Sequence, residues 1–108
     1  MPIDNNASER LFQSAIIQIA LLNGWQMFHA TPHQVRPGVF RSDGKGYPDL
    51  TLAHEEKGLI FAEIKTATGR ASKEQLSWLK ALAPHAEVYI WRPEHLNQIE
   101  ERLSRPAK

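Results

Sequence analysis

The chain has 108 residues, 42% hydrophobic and 23% charged, with a formal net charge of +1. That is the size of one domain with one core, and the total charge does not announce a nucleic-acid binder. Cysteine is absent, which excludes a disulfide framework and thiolate metal or redox sites; no apolar run approaches the ~18 residues that span a membrane.

The N-terminus MPIDNNASER has neither the basic nor the apolar region of a signal peptide. A soluble, cytoplasmic chain forming one domain over residues 1–108 is therefore expected. The first helix should start near Asn5 or Asn6, where Asn6 suits an N-cap and Glu9 completes a capping-box pattern. Phe12, Ala15, Ile16, Ile19 and Leu22 recur at helical spacing, and Asn23-Gly24 ends the helix. Trp25 to Ala30 reads as a strand. Thr31 to Pro48 holds three prolines, three glycines and three basic residues and reads as a long loop, a length that in small domains marks function or disorder.

Asp49 to Ala53 and Leu59 to Lys65 read as an antiparallel hairpin around the polar turn His54 to Gly58. After the loop TATGRA, Ser72-Lys73-Glu74-Gln75 forms a capping box. It opens a helix with the stripe Leu76, Leu79, Leu82 and Ala83, which Pro84 stops. Glu87 to Trp91 alternates as a strand. Pro93 opens a last helix with Leu96, Ile99 and Leu103 on its apolar face, and SRPAK is a frayed tail. The order α-β-β-β-α-β-α describes an α/β fold, a mixed sheet flanked by helices.

The chemistry gathers on the hairpin. Glu63 and Lys65 are two residues apart on a strand and share a face. If His54 to Gly58 turns the chain, Ala53 faces Leu59 and Asp49 faces Glu63, with Cβ atoms ~4.5–5.5 Å apart. Two opposed carboxylates repel unless something neutralises them. Mg²⁺ does this with oxygen ligands at ~2.0–2.1 Å and is commonly held by one or two carboxylates plus phosphate. Lys65 adds a point charge that can hold water or stabilise a phosphoryl transition state. Gln75 is placed to orient Lys65 or a water. Arg36, Arg41, Lys45, Arg70 and Lys73 are candidates for contacts with neighbouring phosphates of DNA.

Pro48-Asp49 followed by Glu63-Ile64-Lys65 resembles the PD-(D/E)xK nuclease superfamily. More narrowly, SERLFQ, GYPDL, AEIKTATGRASKEQLSWLKAL and EVYIWRP together resemble a VRR-NUC (virus-type replication-repair nuclease) domain across essentially the whole chain. The PD and ExK motifs are weak signals singly; the Gly69–Gln75 segment G-x-x-S-x-x-Q makes the combination much more specific. The resemblance implies a restriction-endonuclease-like core and a Mg²⁺- or Mn²⁺-dependent deoxyribonuclease. It implies metal ligation by Asp49, Glu63 and the carbonyl of Ile64, with Lys65 as the catalytic lysine. Glu9 matches a helix-one glutamate that acts at the metal through water, and Gln75 matches a site glutamine. Gln13, one turn from Glu9, shares its face. Stand-alone members are similar to junction resolvases, which work as dimers on branched DNA, so a homodimer acting on Holliday junctions or flaps in a phage or bacterial host cell is expected.

Simpler readings stand beside these. Asp49 alone is more often a strand-end residue, and Glu63 and Lys65 alone a solvated strand face. Glu9 and Gln75 each have a complete structural role in a capping box. His29 and His33 are four apart, but Thr31-Pro32 between them argues against a helical zinc pair. Trp25, Trp78 and Trp91 read as core or interface aromatics. The alternative function is a non-catalytic DNA-binding or subunit-contact module that keeps the fold. A third is a structural metal-binding domain without nucleic acid.

Overall fold

A computed structural model describes residues 5–30, 34–36, 39–40 and 44–107. The first helix, α1, spans Asn5–Leu22. Phe12, Ile16 and Ala20 recur every fourth residue and bury their side chains, so one stripe of the helix faces the core. Leu22, expected on that stripe, is instead 84% exposed. The helix ends as Gly24 takes φ +82°, a backbone state open to glycine at little cost. Asn23 caps the last turn by donating Nδ2–H to the Ile19 carbonyl at 2.8 Å. The Asn6 cap expected at the other end involves a side chain outside the described residues.

Strand β1 (Gln26–His29) pairs antiparallel with β4 (Leu50–His54), and β4 pairs antiparallel with β5 (Gly58–Ile64). β5 then pairs in parallel with β6 (Glu87–Trp91) across the helix α2 (Lys73–Leu82). The sheet order is β1-β4-β5-β6. A 3₁₀ turn at Pro93–His95 leads into α3 (Leu96–Ser104). The architecture is the mixed sheet flanked by helices, in the order α-β-β-β-α-β-α, consistent with a restriction-endonuclease-like core.

One addition lies within the expected loop. β2 (Gln34–Arg36) and β3 (Val39–Phe40) form a separate two-stranded ladder. Strands of three and two residues are too short to show an alternating pattern, which is why they read as loop.

The two faces of the sheet differ. Leu50, Leu52, Ile60, Ala62 and Ile64 form one core with Phe12, Ile16 and Ala20 of α1 and Ile99 and Leu103 of α3. Phe61 and Glu63 alternate to the other face, where Tyr47 meets Phe61 edge-on and Trp78 of α2 meets Tyr47. β5 is thus covered on both sides, and Ile60 to Ile64 are all buried.

At the hairpin end, Arg102 of α3 grips Glu87 with two hydrogen bonds of 2.6 and 2.9 Å and donates a third to the Lys57 carbonyl at 2.8 Å. Its guanidinium lies 5.3 Å over the Trp25 ring. Trp25 Nε1–H donates to the Leu103 carbonyl at 3.0 Å, and Lys57 reaches the carbonyls of Asn23, just after α1, and Leu103, near the end of α3. No helix among the described residues is long and apolar enough to cross a membrane.

Candidate active site

The hairpin register matches the sequence expectation: Ala53 pairs with Leu59 and Leu50 with Ala62. Pairing extends one step further into the turn, His54 to Gly58, without shifting the register. One step beyond the other end, Asp49 lies level with Glu63. Pro48 there is fully buried and the chain bends at Asp49. The Asp49 side chain replaces a ladder carbonyl: Oδ2 accepts the Ile64 N–H at 2.8 Å, while its own carbonyl accepts the Ala30 N–H at 2.9 Å. A carboxylate held this way is fixed at the strand end beside Glu63.

The turn that carries Asp49 is clamped to α2. Gly46 sits at φ +84°, and a Cβ there would lie 2.5 Å from the carbonyl carbon of Glu74 and 2.7 Å from the Gln75 nitrogen. Only glycine permits both the backbone state and the approach. Trp78 Nε1–H donates to the Lys45 carbonyl at 3.0 Å, and the Tyr47 ring wedges between Trp78 and Phe61. Trp78 therefore has a structural role, as expected of an interface aromatic.

Glu63 is 1% exposed, and among the described residues its Oε2 finds no hydrogen-bond donor. Burial pushes its carboxyl up to about 9, helped by the hydrogen bond and charge of Asp49 and more weakly by the charge of Glu9; Lys65 pulls the other way. A buried carboxyl in this state either keeps its proton or gains a cation. The unpartnered Oε2 beside a second carboxylate fits a divalent cation bound through oxygen. Among the described residues, no three or more His, Asp or Glu side chains gather as a cation site. A bound ion would therefore be held by the Asp49–Glu63 pair together with main-chain oxygen or phosphate. Glu9 lies within electrostatic reach of Glu63 but does not complete such a group.

Lys65 follows directly. Its backbone N–H donates to the Trp91 carbonyl at 2.9 Å, extending the parallel ladder so that Arg92 falls level with it. Arg92, to which no sequence motif assigns a role, donates Nη1–H to the carbonyls of Thr66 at 2.7 Å and Gly69 at 2.6 Å. It thereby holds the loop that leaves Lys65. A lone arginine after a strand carries no signal for this; the parallel pairing alone brings it there.

Gln75 is engaged in the Ser72 capping box: its Oε1 accepts the Ser72 N–H at 2.7 Å, and its N–H donates to Ser72 Oγ at 3.1 Å. No hydrogen bond joins Gln75 to Lys65 or to either carboxylate among the described residues. Gln13 bridges from α1 to His29 of β1 at 3.0 Å, so His29 links a helix to the strand beside Asp49. Lys45, Arg70 and Lys73 are exposed. Arg41 and the side chain of Arg36 lie outside the described residues.

No curated protein and no solved structure gives a significant match to the chain. A family model does: the VRR-NUC domain matches residues 9–93. That span holds Glu9, the Asp49–Glu63 pair, Lys65 and Gln75 and runs to the end of the central sheet. The chain belongs to the VRR-NUC family, and its fold is that of a nuclease-type domain with DNA as the implied partner.

Proposed function

We propose that this chain is a single-domain, metal-dependent DNA endonuclease that hydrolyses phosphodiester bonds, structure-selective for branched DNA such as Holliday junctions or flaps. The observation that carries the reading is Glu63: a carboxylate buried at the end of a central strand, with one oxygen unpartnered, beside the fixed carboxylate of Asp49. Mutation to an apolar residue would remove that cost, so a fold with no use for the charge has no reason to keep it there.

Asp49, Glu63 and the Ile64 carbonyl would hold Mg²⁺, with Mn²⁺ able to substitute. Bound there, the ion supplies Lewis-acid polarisation of the phosphate and acidification of water. Asp49 keeps its orientation through the Ile64 N–H, so the pair needs little rearrangement to receive a cation. Lys65 places its ammonium where negative charge grows on the phosphoryl oxygens. Arg92 positions the loop behind Lys65 through two carbonyls. Glu9 tunes Glu63 by its charge and is the site's outer carboxylate. Gln75 serves the reaction through its unshared amide nitrogen or holds α2 through its cap. Lys45, Arg70 and Lys73, with Arg36 and Arg41, contact flanking phosphates.

The working unit is a homodimer, since one small domain does not easily span two strands of a branched substrate. Leu11 and Leu22, three helical turns apart on α1, are 72% and 84% exposed and supply apolar surface for such an assembly.

The test is cleavage of labelled four-way junction, flap and linear duplex DNA with Mg²⁺, Mn²⁺ or EDTA, beside Asp49→Ala. Metal-dependent cutting of a branched substrate that vanishes in the variant is expected. Tight, salt-sensitive binding without cutting by either metal would instead indicate a non-catalytic DNA-binding module.

A further inference from the structure

A cleft of about 300 Å³ opens beside the Asp49 turn, lined by Lys45, Lys73, Glu74, Ser77 and Trp78. Its volume lies at the lower end of the range for sites that take small organic groups. Lys45 and Glu74 meet across it at 3.7 Å, the lysine mostly solvated and the glutamate partly so, so this pair is a weak closure. Two ammonium groups stand against one carboxylate.

The aromatic wall is rigid before any ligand arrives. The Trp78 indole is pinned by its hydrogen bond to the Lys45 carbonyl and by the Tyr47 ring, 5.0 Å away at 76°. Trp25 and Trp91 are 2% and 4% exposed, whereas Trp78 lines the cleft. The cleft is also close to the carboxylates. Lys45 is four residues from Asp49, a span of at most about 14 Å of extended chain, and Gly46 presses that turn onto α2.

We propose that this cleft receives an unpaired nucleotide next to the scissile phosphate, its base against Trp78 and its phosphate between Lys45 and Lys73. The inference rests on the nuclease reading above and adds a substrate determinant to it. Every base offers a face for stacking on an aromatic ring, so an indole wall reads the unpaired state and not the sequence. A paired base stacks on its own neighbours and has no free face to offer. The indole already holds the Asp49 turn through the Lys45 carbonyl, and as a wall of the cleft beside two lysines it also offers a ring to a base whose phosphate the ammonium groups attract. Ser77, one residue before the tryptophan on α2, offers a hydroxyl for a base edge or sugar.

The experiment compares two labelled DNAs of equal length in EDTA, one fully paired and one ending in a short single-stranded tail. Wild type, Ser77→Leu and Trp78→Phe are titrated, and the ratio of the two dissociation constants is read. Ser77 is exposed on a helix and lines the cleft, and it makes neither the Trp78–Lys45 hydrogen bond nor the Tyr47 contact, so leucine there adds bulk to the cleft. Wild type should favour the tailed DNA by roughly tenfold. Ser77→Leu should bring the ratio close to one, and Trp78→Phe, which keeps a ring, should retain part of it. Lys73→Glu, a second exposed change, should lower the ratio in the same direction. A wild type that cuts DNA yet shows no preference for the tail, or a Ser77→Leu variant that keeps the full preference, would overturn the cleft while leaving the nuclease reading intact. A wild type that neither binds nor cuts any DNA would end both.

Discussion

Two glutamates on neighbouring strands of the same sheet stand in opposite electrostatic states. Glu87, at the start of β6, is gripped by Arg102; that hydrogen-bonded guanidinium holds its carboxyl below the usual range despite some burial. Glu63, near the far end of β5, has burial and Asp49 acting together to push its carboxyl up to about 9. The hairpin end pairs its charges with each other and with nearby main-chain carbonyls. The opposite end gathers like charges and leaves an oxygen without a donor. Charge that stabilises the fold is matched by the chain itself; charge left unmatched in a buried place waits for something from outside.

The comparison is broken most sharply by exchanging the two ends' roles. Glu63→Gln removes the unmatched charge and should lower cleavage at least about 10³-fold, while its melting temperature in EDTA at alkaline pH rises above wild type. Arg102→Ala strips the matched end and should cost about 2–3 kcal/mol of stability. The fraction that stays folded should still cut DNA at the wild-type rate. Paired denaturation and cleavage assays check both, and a Glu63→Gln protein that retains activity would remove Glu63 from the site.

Titration separates the two glutamates next. Glu63 has its folded pKa raised above the unfolded value of 4.5. Its contribution is therefore fully present below about that pH and is lost as pH climbs toward about 9. Glu87 has its folded pKa lowered, so its contribution is present above the unfolded value and is lost on acidification. In EDTA, stability should thus fall on both sides of a mildly acidic to neutral optimum. Mg²⁺ or Mn²⁺ should restore the alkaline side only, by about 2.7 kcal/mol at a hundredfold excess over Kd, or roughly 10 °C. Thermal melts across pH with and without metal read this directly. A metal effect that is equal at pH 5 and pH 9 would count against ion binding at Glu63.

A smaller effect is expected from the clamp that presents Asp49. Gly46→Ala places a Cβ against the backbone of Glu74 and Gln75 at a positive φ, costing about 1–3 kcal/mol. Because the turn carries Asp49, cleavage should fall further than the loss of folded protein explains. The same substitution at Gly44, also at positive φ but with open space around it, should cost stability with little effect on cleavage per folded molecule.

The smallest change sharpens the reading of Gln75. Ser72→Ala removes the cap of α2 for about 1 kcal/mol. Gln75→Glu keeps a capping box, since glutamate serves equally at that position, but adds a negative charge to the first turn of α2. Unchanged cleavage in Gln75→Glu would limit Gln75 to the cap; a loss greater than that in Ser72→Ala would assign it to the reaction.

Local rules made much of this legible. The Ser72 capping box forms as its spacing dictates, and Glu87–Trp91 is the strand its alternation describes. The Asp49–Glu63 opposition followed from counting residues across one turn, because a hairpin's register is set locally and a one-residue slip would turn every buried side chain outward. Where the rules failed, the signal was too short or not local. β2 and β3 are too brief to alternate visibly. Leu22 has helical spacing, yet no neighbour among the described residues covers it.

By itself the sequence determined the order of elements, the hairpin register and the presence of two carboxylates and a lysine at one strand end. Each depends on residues close together in the chain. Tertiary structure alone decided that Glu63 is buried with an oxygen unpartnered, that Arg92 holds the loop after Lys65, that Gly46 and Trp78 bind the Asp49 turn to α2, and that Arg102 neutralises Glu87. Those outcomes depend on which surfaces pack together and how much water packing removes. Burial sets the cost of a charge, and no spacing along a chain reports it.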